Sequence, residues 1–338
     1  MFDPTTRFLV TGGTGKVGRR LVPALLRRGY RVRLLTPDAP AEDPLLEWRQ
    51  MDFMSDLSFD EAVEGCDVIL HLAAELFDVE RMVQVNGVAT QALVTAAEKA
   101  GVKVFCYTSS VCVYGSPKET LVTEESPVIS TVPGADNLFF APYYLQEYGR
   151  TKLLGEAAIH AGARSTRYVV IRPTNIFALD DIDDIMRWPA STRMWRSYRK
   201  THHVFIDDVV EAILYLAERA SSPEAGYGGI ETFNVSNDDN PENTFGGMFR
   251  KLCRFEGSRE HWSGLSGQTL DRIKDVIKFK SMSARFPVGM LTYSPDKLLA
   301  DGFVHPVGMP AAHARAIESV AARGPTGIPA GVGLGRDA

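Results

Sequence analysis

The chain has 338 residues, 45% of them hydrophobic and 23% charged, a composition typical of a globular protein of one or two domains. Its net charge of -5 and isoelectric point near 5.9 argue against nucleic acid or an anionic membrane surface as the main partner. The four cysteines lack the spacing of a zinc site or a disulfide framework, so we expect no metal. The N-terminus leaves no room for a signal peptide, and no apolar run approaches the roughly 20 residues of a membrane span. We therefore expect a cytoplasmic protein without a membrane segment.

In chain order, apolar strand patterns alternate with helical patterns through the first half of the chain. The predicted strands cover residues 7–10, 31–35, 46–52, 68–72, 104–109 and 168–172. The predicted helices cover residues 16–28, 60–64, 80–100, 144–161 and 207–219. Such alternation is typical of an α/β protein with a doubly wound parallel sheet.

The first predicted strand runs directly into a glycine-rich turn, with the sequence FLVTGGTGKVGR from Phe8 to Arg19. Its glycines at 12, 15 and 18 permit a tight turn, let the backbone approach a pyrophosphate, and allow a helix to pack closely on the strand. Unpaired N–H groups at the helix N-terminus favour an anion there. The turn predicts a dinucleotide site in a Rossmann-type fold, although an ordinary turn between strand and helix can have the same spacing.

The alternation of strands and helices breaks after Pro173, and residues 174–203 and 237–310 read as irregular. We predict a Rossmann-type domain from residues 1–173 with 204–236, and a small discontinuous C-terminal lobe from 174–203 and 237–323 that binds substrate. Glycine and proline recur in residues 324–338, which predicts a flexible tail.

A phenol and an ammonium group, those of Tyr148 and Lys152, lie four residues apart on a predicted helix and so share one helical face. The ammonium group would stabilise a phenolate and lower the pKa of the tyrosine from its ordinary value of about 10. Tyr148 could then exchange a proton with a substrate hydroxyl. The alternative is a solvated pair on the helix surface.

Hydroxyl side chains cluster where the predicted strand 104–109 ends, at Thr108, Ser109 and Ser110. In open α/β sheets, ligands bind at the carboxyl ends of the strands. These hydroxyl groups therefore favour a second part of the same site, with simple capping of a turn as the alternative.

Together these motifs resemble the extended short-chain dehydrogenase/reductase family, which includes NAD-dependent sugar epimerases and dehydratases. The resembling segments are residues 11–18 (TGGTGKVG), Asp52-Phe53, 71–74 (HLAA), 86–90 (NGVAT), 108–115 (TSSVCVYG), Tyr148 with Lys152, 172–175 (RPTN) and 204–209 (VFIDDV). Two positions depart from the family pattern, with Ala89 at a usual glycine and Phe205 at a usual histidine.

The resemblance implies a role for each matched position. Ser110 would hydrogen-bond the reacting oxygen and Tyr148 would carry the proton, while Lys152 would bind the nicotinamide ribose and tune the tyrosine; these three are the expected catalytic residues. The expected cofactor-binding residues are Gly12, Gly15, Lys16, Val17, Thr36, Asp52, Phe53, Leu72, Ala73, Ala74, Asn86, Thr108, Tyr148, Lys152 and Pro173. The expected substrate-binding residues are Ser110, Tyr148 and Asn175.

The choice between NAD and NADP depends on the end of the second strand. NAD-selective family members carry an acidic residue there, whereas this chain has Thr36. Without a carboxylate to repel a 2′-phosphate, we favour NADP slightly over NAD. Lys16 or Arg33 would serve that phosphate, or each would be a surface charge.

The residues around the expected pocket limit the reaction and the substrate. Val111 and Cys112 stand where sugar-nucleotide dehydratases have an acidic pair, which disfavours a dehydratase. Leu76 stands where the galactose-epimerase type has lysine, which weakens the analogy to that enzyme. Residues 128–134 and 138–144, between the catalytic motifs, would line the pocket or pack on the lobe. The basic and aromatic run 187–200 would bind substrate phosphates, or would form a solvated surface.

The function expected from these observations is hydride transfer at a hydroxyl or ketone carbon of a sugar-like small molecule, including a nucleotide sugar, by epimerisation or ketoreduction. An alternative is the NADPH-dependent reduction of a non-nucleotide carbonyl from secondary metabolism. A regulator that senses NADP without turnover is a third hypothesis, which intact Ser110, Tyr148 and Lys152 oppose. Family members often dimerise through the helix that carries the tyrosine and lysine, so a homodimer is possible.

Overall fold

The computed structural model describes residues 2–117, 119–135, 143–222, 229–259 and 291–323. Its strands are β1 (Arg7–Thr11), β2 (Arg31–Thr36), β3 (Leu46–Gln50), β4 (Val68–His71), β5 (Val104–Thr108), β6 (Leu121–Val122), β7 (Arg167–Pro173), β8 (Asn175–Phe177), β9 (His203–Phe205), β10 (Ile230–Val235) and β11 (Thr292–Tyr293). Its helices are α1 (Gly18–Arg27), α2 (Asp60–Val63), α3 (Val79–Met82), α4 (Ala89–Ala100), α5 (Tyr143–Gly162), α6 (Ile182–Met186), α7 (Ala190–Arg196), α8 (Ile206–Ser221) and α9 (Phe245–Glu256), followed by Asp296–Ala300 and Met309–Arg323.

A seven-stranded parallel sheet forms the centre of the molecule, in the order β10-β7-β5-β4-β1-β2-β3. The chain moves outward from β1 in one direction through β2 and β3, and then in the other direction from β4. The order therefore reverses beside β1, where open α/β sheets bind ligands. This arrangement confirms the doubly wound parallel sheet that the sequence predicted.

Both faces of the sheet are covered, which explains why its central strands are apolar almost throughout. Phe8 and Val10 of β1 point into a core shared with α1 and α8, whereas Leu9 points into a second core shared with α4 and α5. This alternation follows from the two-residue period of a strand. In the second core, Ile159 of α5 is buried together with Tyr107 of β5 and Tyr168 of β7.

The lobe that follows β7 has its own apolar core. Phe177, Phe249, Met309 and Ile317 are among the buried residues that join β8, α9 and the helix Met309–Arg323. The sequence predicted irregular structure in this region, but the lobe contains α6, α7 and α9. Helices as short as α6 and α7 are stabilised by tertiary packing, so their periodicity is too brief to recognise. The boundaries proposed for the two units stay a prediction.

The predicted helix 80–100 is continuous in the structure but changes its winding. Between α3 and α4, residues Val83–Val88 form a π-helical segment, a feature often found near functional sites. Asn86 and Gly87 are buried in this segment. A Cβ atom on Gly87 would lie 3.4 Å from the Leu154 side chain, so the π segment packs closely on α5.

The predicted flexible tail, residues 324–338, lies outside the described residues, as does most of segment 138–144. None of the helices in the described part of the chain is long and apolar enough for a bilayer crossing.

Candidate active site

A cleft of about 260 Å³ opens at the carboxyl ends of β1, β2 and β4. Many of the residues expected to bind a cofactor line it, namely Gly12, Gly15, Thr36, Asp52, Phe53, Leu72, Ala73 and Ala74. Arg81 of α3 also lines the cleft, although the sequence did not single it out. The sequence motifs thus converge on one site, although they are spread over more than sixty residues of the chain.

The glycine turn meets three different steric demands. Gly12 has φ +69°, and a Cβ atom there would lie 2.6 Å from the Ala73 backbone nitrogen. At Gly18 a Cβ atom would lie 2.3 Å from the Gly12 carbonyl oxygen. At Gly15 the nearest heavy atom within 4 Å is the Gly12 oxygen, at 3.2 Å. Gly12 and Gly18 are therefore needed for the fold of the turn, whereas Gly15 keeps the wall of the cleft open.

A buried histidine connects the glycine turn to the π segment. Thr90 donates its hydroxyl proton to the Asn86 carbonyl oxygen at 2.9 Å, so His71 Nε2 must donate to Thr90, also at 2.9 Å. His71 Nδ1 then accepts from Thr11 Oγ1 at 2.6 Å, and Thr11 accepts from the Ala73 N–H. Burial lowers the pKa of His71 to about 3, with the Lys152 charge adding to the effect, so the ring is neutral.

Asn86, expected to contact the cofactor, is fully buried and bonded within the protein. Its amide nitrogen donates to the Glu75 carbonyl oxygen and to Thr151 Oγ1, and its amide oxygen accepts from the Glu75 N–H. The side chain therefore joins one wall of the cleft to α5.

Helix α5 lies directly against the end of β5 because Gly149 and Gly155, two of its three glycines, leave room for the facing residues. A Cβ atom on Gly149 would lie 2.6 Å from the Cys112 carbonyl oxygen, and one on Gly155 would lie 2.2 Å from Tyr107 Oη. This close approach places Tyr148 beside Cys112, two residues after Ser110. Ser110 is buried and accepts from the Cys112 N–H at 3.1 Å, which caps the 3₁₀ turn Val111–Tyr114.

The electrostatic environment of Tyr148 differs from the sequence expectation. Burial raises the pKa of its hydroxyl above the ordinary value, and Cys112 raises it further. From the sequence we expect Lys152 and an oxidised nicotinamide to lower this pKa together. In the protein alone burial acts in the opposite direction, which helical spacing does not reveal. Tyr148 is therefore a protonated phenol at neutral pH in this structure.

Lys152 is completely buried, and its Nζ has no hydrogen-bond partner among the described residues. Burial lowers the pKa of Lys152 to about 7, with Glu156 one turn later acting in the opposite direction. The ammonium group lies 4.1 Å from the centroid of the Tyr107 ring. A buried cation without a hydrogen-bond acceptor is costly unless a ligand supplies one.

Glu156, which the sequence did not identify, connects α5 to the sheet. It accepts from Arg172 Nε at 3.0 Å, from Arg172 Nη2 at 2.6 Å and from Ser109 Oγ at 2.5 Å. Arg172 also donates to Tyr114 Oη at 2.9 Å, and Tyr114 donates to Asn234 Oδ1 at 2.7 Å. A glutamate four residues after Lys152 was the available signal, because that spacing places it on the same helical face.

The remaining residues expected to bind cofactor or substrate differ in how buried they are and in what they contact. Val17 packs against the core beside α1, and Lys16 bonds to the Ile176 carbonyl oxygen and to Asp181 of the lobe. Pro173 is buried at the end of β7, whereas Asn175 is exposed at the start of β8. The hydroxyl of Thr108, at the end of β5, is buried.

Arg33 is neither a surface charge nor a phosphate ligand, contrary to both alternatives from the sequence. It is 5% exposed and donates to the carbonyl oxygens of Ala62 and Glu64 at 2.8 Å. Its position on the second strand, pointing into the protein, could not be inferred from its charge.

The basic run 187–200 is largely engaged within the lobe. Arg193 is buried and binds Glu256 at 2.7 Å, and Arg196 stacks on Trp188 at 4.5 Å. Lys200 donates to the Asp238 carbonyl oxygen and to Thr292. These contacts hold the lobe together and engage Arg193 and Lys200 within it.

The residues present fit a dinucleotide. Besides Lys152 Nζ, the hydroxyls of Thr36 and Thr108 are buried without a partner in the described part of the chain. All three lie at or beside the carboxyl edge of the sheet, where ribose hydroxyl groups would supply partners. Among the same residues, no cluster of histidine, cysteine or carboxylate side chains is arranged to hold a metal ion.

Comparison with known proteins agrees with this fit. Residues 8–235 match the model of the family described as NAD dependent epimerase/dehydratase. Curated relatives include a sterol-4-alpha-carboxylate 3-dehydrogenase of Bos taurus, 24% identical over 69% of this chain and 65% of that protein. A 4-hydroxy-2-methyl-3-oxo-4-farnesyl-3,4-dihydroquinoline-1-oxide ketoreductase of Stigmatella aurantiaca is 29% identical over 64% of this chain and 66% of that protein. The chain spans about a third to two thirds of the length of the curated relatives it matches.

Solved structures share the fold over most of the chain. MoeE5 in complex with UDP-glucuronic acid and NAD is 19% identical, with a TM-score of 0.65 over 94% of this chain and 99% of that one. A short-chain dehydrogenase/reductase superfamily protein from Agrobacterium tumefaciens with bound NAD is 23% identical, with a TM-score of 0.67 over 94% and 98%. At these identities the agreement concerns the fold.

Proposed function

Because the chain belongs to the NAD dependent epimerase/dehydratase family, as its motifs predicted, we propose that it is an NAD(P)-dependent oxidoreductase acting at a carbinol or ketone carbon. One observation carries the proposal. Helix α5 brings Tyr148 beside Cys112, two residues after Ser110, and brings Lys152 Nζ over the ring of Tyr107 in β5.

The dinucleotide would lie across the cleft, with its pyrophosphate on the turn at Gly12 and Gly15 and its adenine end near Asp52 and Phe53. Lys152 would bind the nicotinamide ribose, which gives its buried ammonium group an acceptor. When bound, the nicotinamide supplies or accepts the hydride.

The protein supplies the proton and the orientation. Ser110 Oγ would donate to the substrate oxygen, and Tyr148 would exchange a proton with it. Since burial raises the pKa of Tyr148, the phenol is protonated at neutral pH and suited to donate to a ketone. The oxidation direction needs the phenolate, so we expect oxidation to accelerate as the pH rises.

The contacts of the basic run favour a non-nucleotide carbonyl substrate over a nucleotide sugar. Arg193 is buried in an ion pair with Glu256, which leaves the run with one cation fewer for a substrate phosphate. Relatives named as a sterol 3-dehydrogenase and as a ketoreductase agree with this preference. We therefore favour ketoreduction of a small cyclic molecule without a nucleotide.

Cofactor preference stays a prediction for NADP. Thr36 offers no carboxylate to repel a 2′-phosphate, and the Arg81 cation lines the same cleft. Fluorescence titrations with NADPH and NADH measure this preference directly, and tighter binding of NADH would contradict it.

The decisive test of the proposed reaction is Tyr148→Phe. We expect turnover to fall by about 10²- to 10⁴-fold, because the proton donor is lost, with dinucleotide affinity nearly unchanged. Lys152→Ala should reduce turnover and also weaken dinucleotide binding roughly tenfold or more, because a charged hydrogen bond is lost. Turnover is measured with a panel of cyclic ketones and nucleotide sugars, and affinity by titration.

Tyr168→Phe is the matched control, since Tyr168 is a buried tyrosine on β7 that donates to Glu98 of α4 and has no assigned role in the site. Equal loss of affinity in the Tyr148 and Lys152 variants would contradict the assigned roles. Full turnover in Tyr148→Phe would contradict the proposed role of Tyr148. Dinucleotide binding by the wild-type protein without turnover of any tested substrate would favour a sensor of the dinucleotide.

Native mass spectrometry of the purified protein separates the two reaction types. Tightly bound NAD would indicate a cofactor that is recycled within each turnover, as in epimerisation. An empty protein that binds NADPH on titration would indicate an exchangeable co-substrate, as in ketoreduction.

A further inference from the structure

The ammonium group of Lys152 lies in an unusual place for a cation. It is fully buried, without a hydrogen-bond partner in the described structure, and Glu156 one turn away is already bound to Arg172 and Ser109. Some other feature must hold the side chain in position and offset part of the cost of burying its charge.

The Tyr107 ring is the group that contacts this cation, with 4.1 Å between Nζ and the ring centroid. An aromatic face attracts a cation through its quadrupole, and the attraction is largest where water is excluded. Tyr107 is itself completely buried, so both partners are desolvated.

The orientation of the Tyr107 ring is fixed from several directions. Its hydroxyl donates to the Lys152 carbonyl oxygen at 3.2 Å, and Gly155 leaves room for that hydroxyl against α5. The His71 ring lies 5.5 Å away at an interplanar angle of 30°, and it is held by Thr11 and Thr90. Tyr107 therefore has little freedom to turn its face away from Lys152.

We propose that the face of the Tyr107 ring holds the Lys152 ammonium group in place for the dinucleotide, which makes Tyr107 a positioning residue. This inference rests on the proposed function for the identity of the ligand. In an ordinary ion pair a carboxylate offsets the charge of the lysine and accepts its hydrogen bonds. Here the ring face offsets the charge of Lys152, and its N–H groups stay available for the ribose.

The other titratable groups around Lys152 do not replace the ring. On α5 these groups are Tyr148, which is protonated, and Glu156, which is paired with Arg172 of β7. On β4 the group is His71, which is neutral. Loss of the aromatic face should therefore destabilise the charged form of Lys152, and its pKa should fall.

The test measures how dinucleotide affinity depends on pH in variants whose ring at position 107 attracts a cation progressively less. The midpoint is the pH at which half of the NADPH affinity is lost. Phenylalanine and its mono-, di- and trifluorinated analogues at position 107 keep the ring shape, so each variant should fold. We expect the phenylalanine variant to retain the wild-type midpoint for loss of NADPH affinity. The midpoint should then move to lower pH with each fluorine, by about one pH unit over the series.

Tyr107→Leu removes the ring altogether, and we expect about tenfold weaker binding of NADPH above pH 7. Tyr168→Leu is the matched control, because it removes another buried tyrosine that packs on Phe105 rather than on Lys152. It should lower stability without moving the midpoint.

The same midpoint throughout the fluorinated series would overturn the role of Tyr107, with the proposed function unaffected. Absence of NADPH and NADH binding by the wild-type protein would overturn both.

Discussion

Gly15 and Gly18 stand three residues apart in the same turn, yet their structural surroundings predict different consequences of substitution. At Gly15 an added side chain would point into the cleft, whereas at Gly18 it would overlap the backbone of Gly12 and Gly13. We expect Gly15→Val to abolish dinucleotide binding while the protein stays folded, because the branched side chain occupies the space for the pyrophosphate. Titration with NADPH and circular dichroism measure the two properties.

Gly18→Val is the contrasting variant. It should unfold the protein or reduce its stability severely, since a Cβ atom 2.3 Å from a backbone oxygen cannot be accommodated by side-chain movement. Retained binding in Gly15→Val would show that the pyrophosphate lies elsewhere.

At the level of single residues, the sequence identified which side chains carry the chemistry. It did not predict how deeply these side chains are buried or what they contact. The spacing of Tyr148 and Lys152 follows from helical geometry and was recognised. The raised pKa of Tyr148 and the contact between Lys152 and Tyr107 depend on how closely α5 approaches β5. That approach is set by two glycines of α5 whose partners are distant in the sequence, so spacing alone could not predict it.

Between elements, the ion pair of Arg172 with Glu156 joins β7 to α5 in the interior. We expect Arg172→Met to lower the free energy of unfolding by about 3–5 kcal/mol, because it leaves the Glu156 carboxylate buried and unpaired. The double variant Arg172→Met, Glu156→Leu should recover part of that loss. Urea unfolding followed by circular dichroism measures each value.

The surface pair of Arg187 with Asp184 provides the control for this prediction. Arg187→Met should cost less than about 1 kcal/mol, since exposed ion pairs contribute little. A similar small cost at Arg172 would contradict the structural importance of the buried pair.

Among the elements, those of the first half were predicted closely because long buried strands and amphipathic helices produce clear periodicity. The final sheet strand, β10, was missed because Glu231, Thr232 and Asn234 interrupt its apolar pattern at the edge of the sheet. The π segment was missed because its extra residue per turn leaves the pattern of apolar residues almost unchanged.

The molecule as a whole buries several histidines in neutral form. Burial lowers the pKa of His71 and of His313 to about 3, and it also lowers that of His203. In the unfolded chain these side chains titrate near pH 6.5. Below that value the unfolded state binds more protons, so the free energy of unfolding should fall as the pH decreases from about 6.5 toward 3.

Urea midpoints at pH 7.5, 6.0 and 5.0 test this expectation. His313→Gln should weaken the dependence on pH, because glutamine does not titrate, whereas His160→Gln on the exposed surface of α5 should leave it unchanged. Equal pH dependence in the wild type and the His313 variant would contradict the prediction.

The bond from Lys16 of the glycine turn to Ile176 and Asp181 of the lobe has a practical consequence for protein engineering. Residues of this turn are natural targets for exchanging one coenzyme for the other. A substitution at Lys16 would also remove two hydrogen bonds to the lobe, and it would therefore disturb binding of the substrate. Redesign of coenzyme preference should therefore leave Lys16 in place and begin at Thr36 and Arg81, which line the cleft.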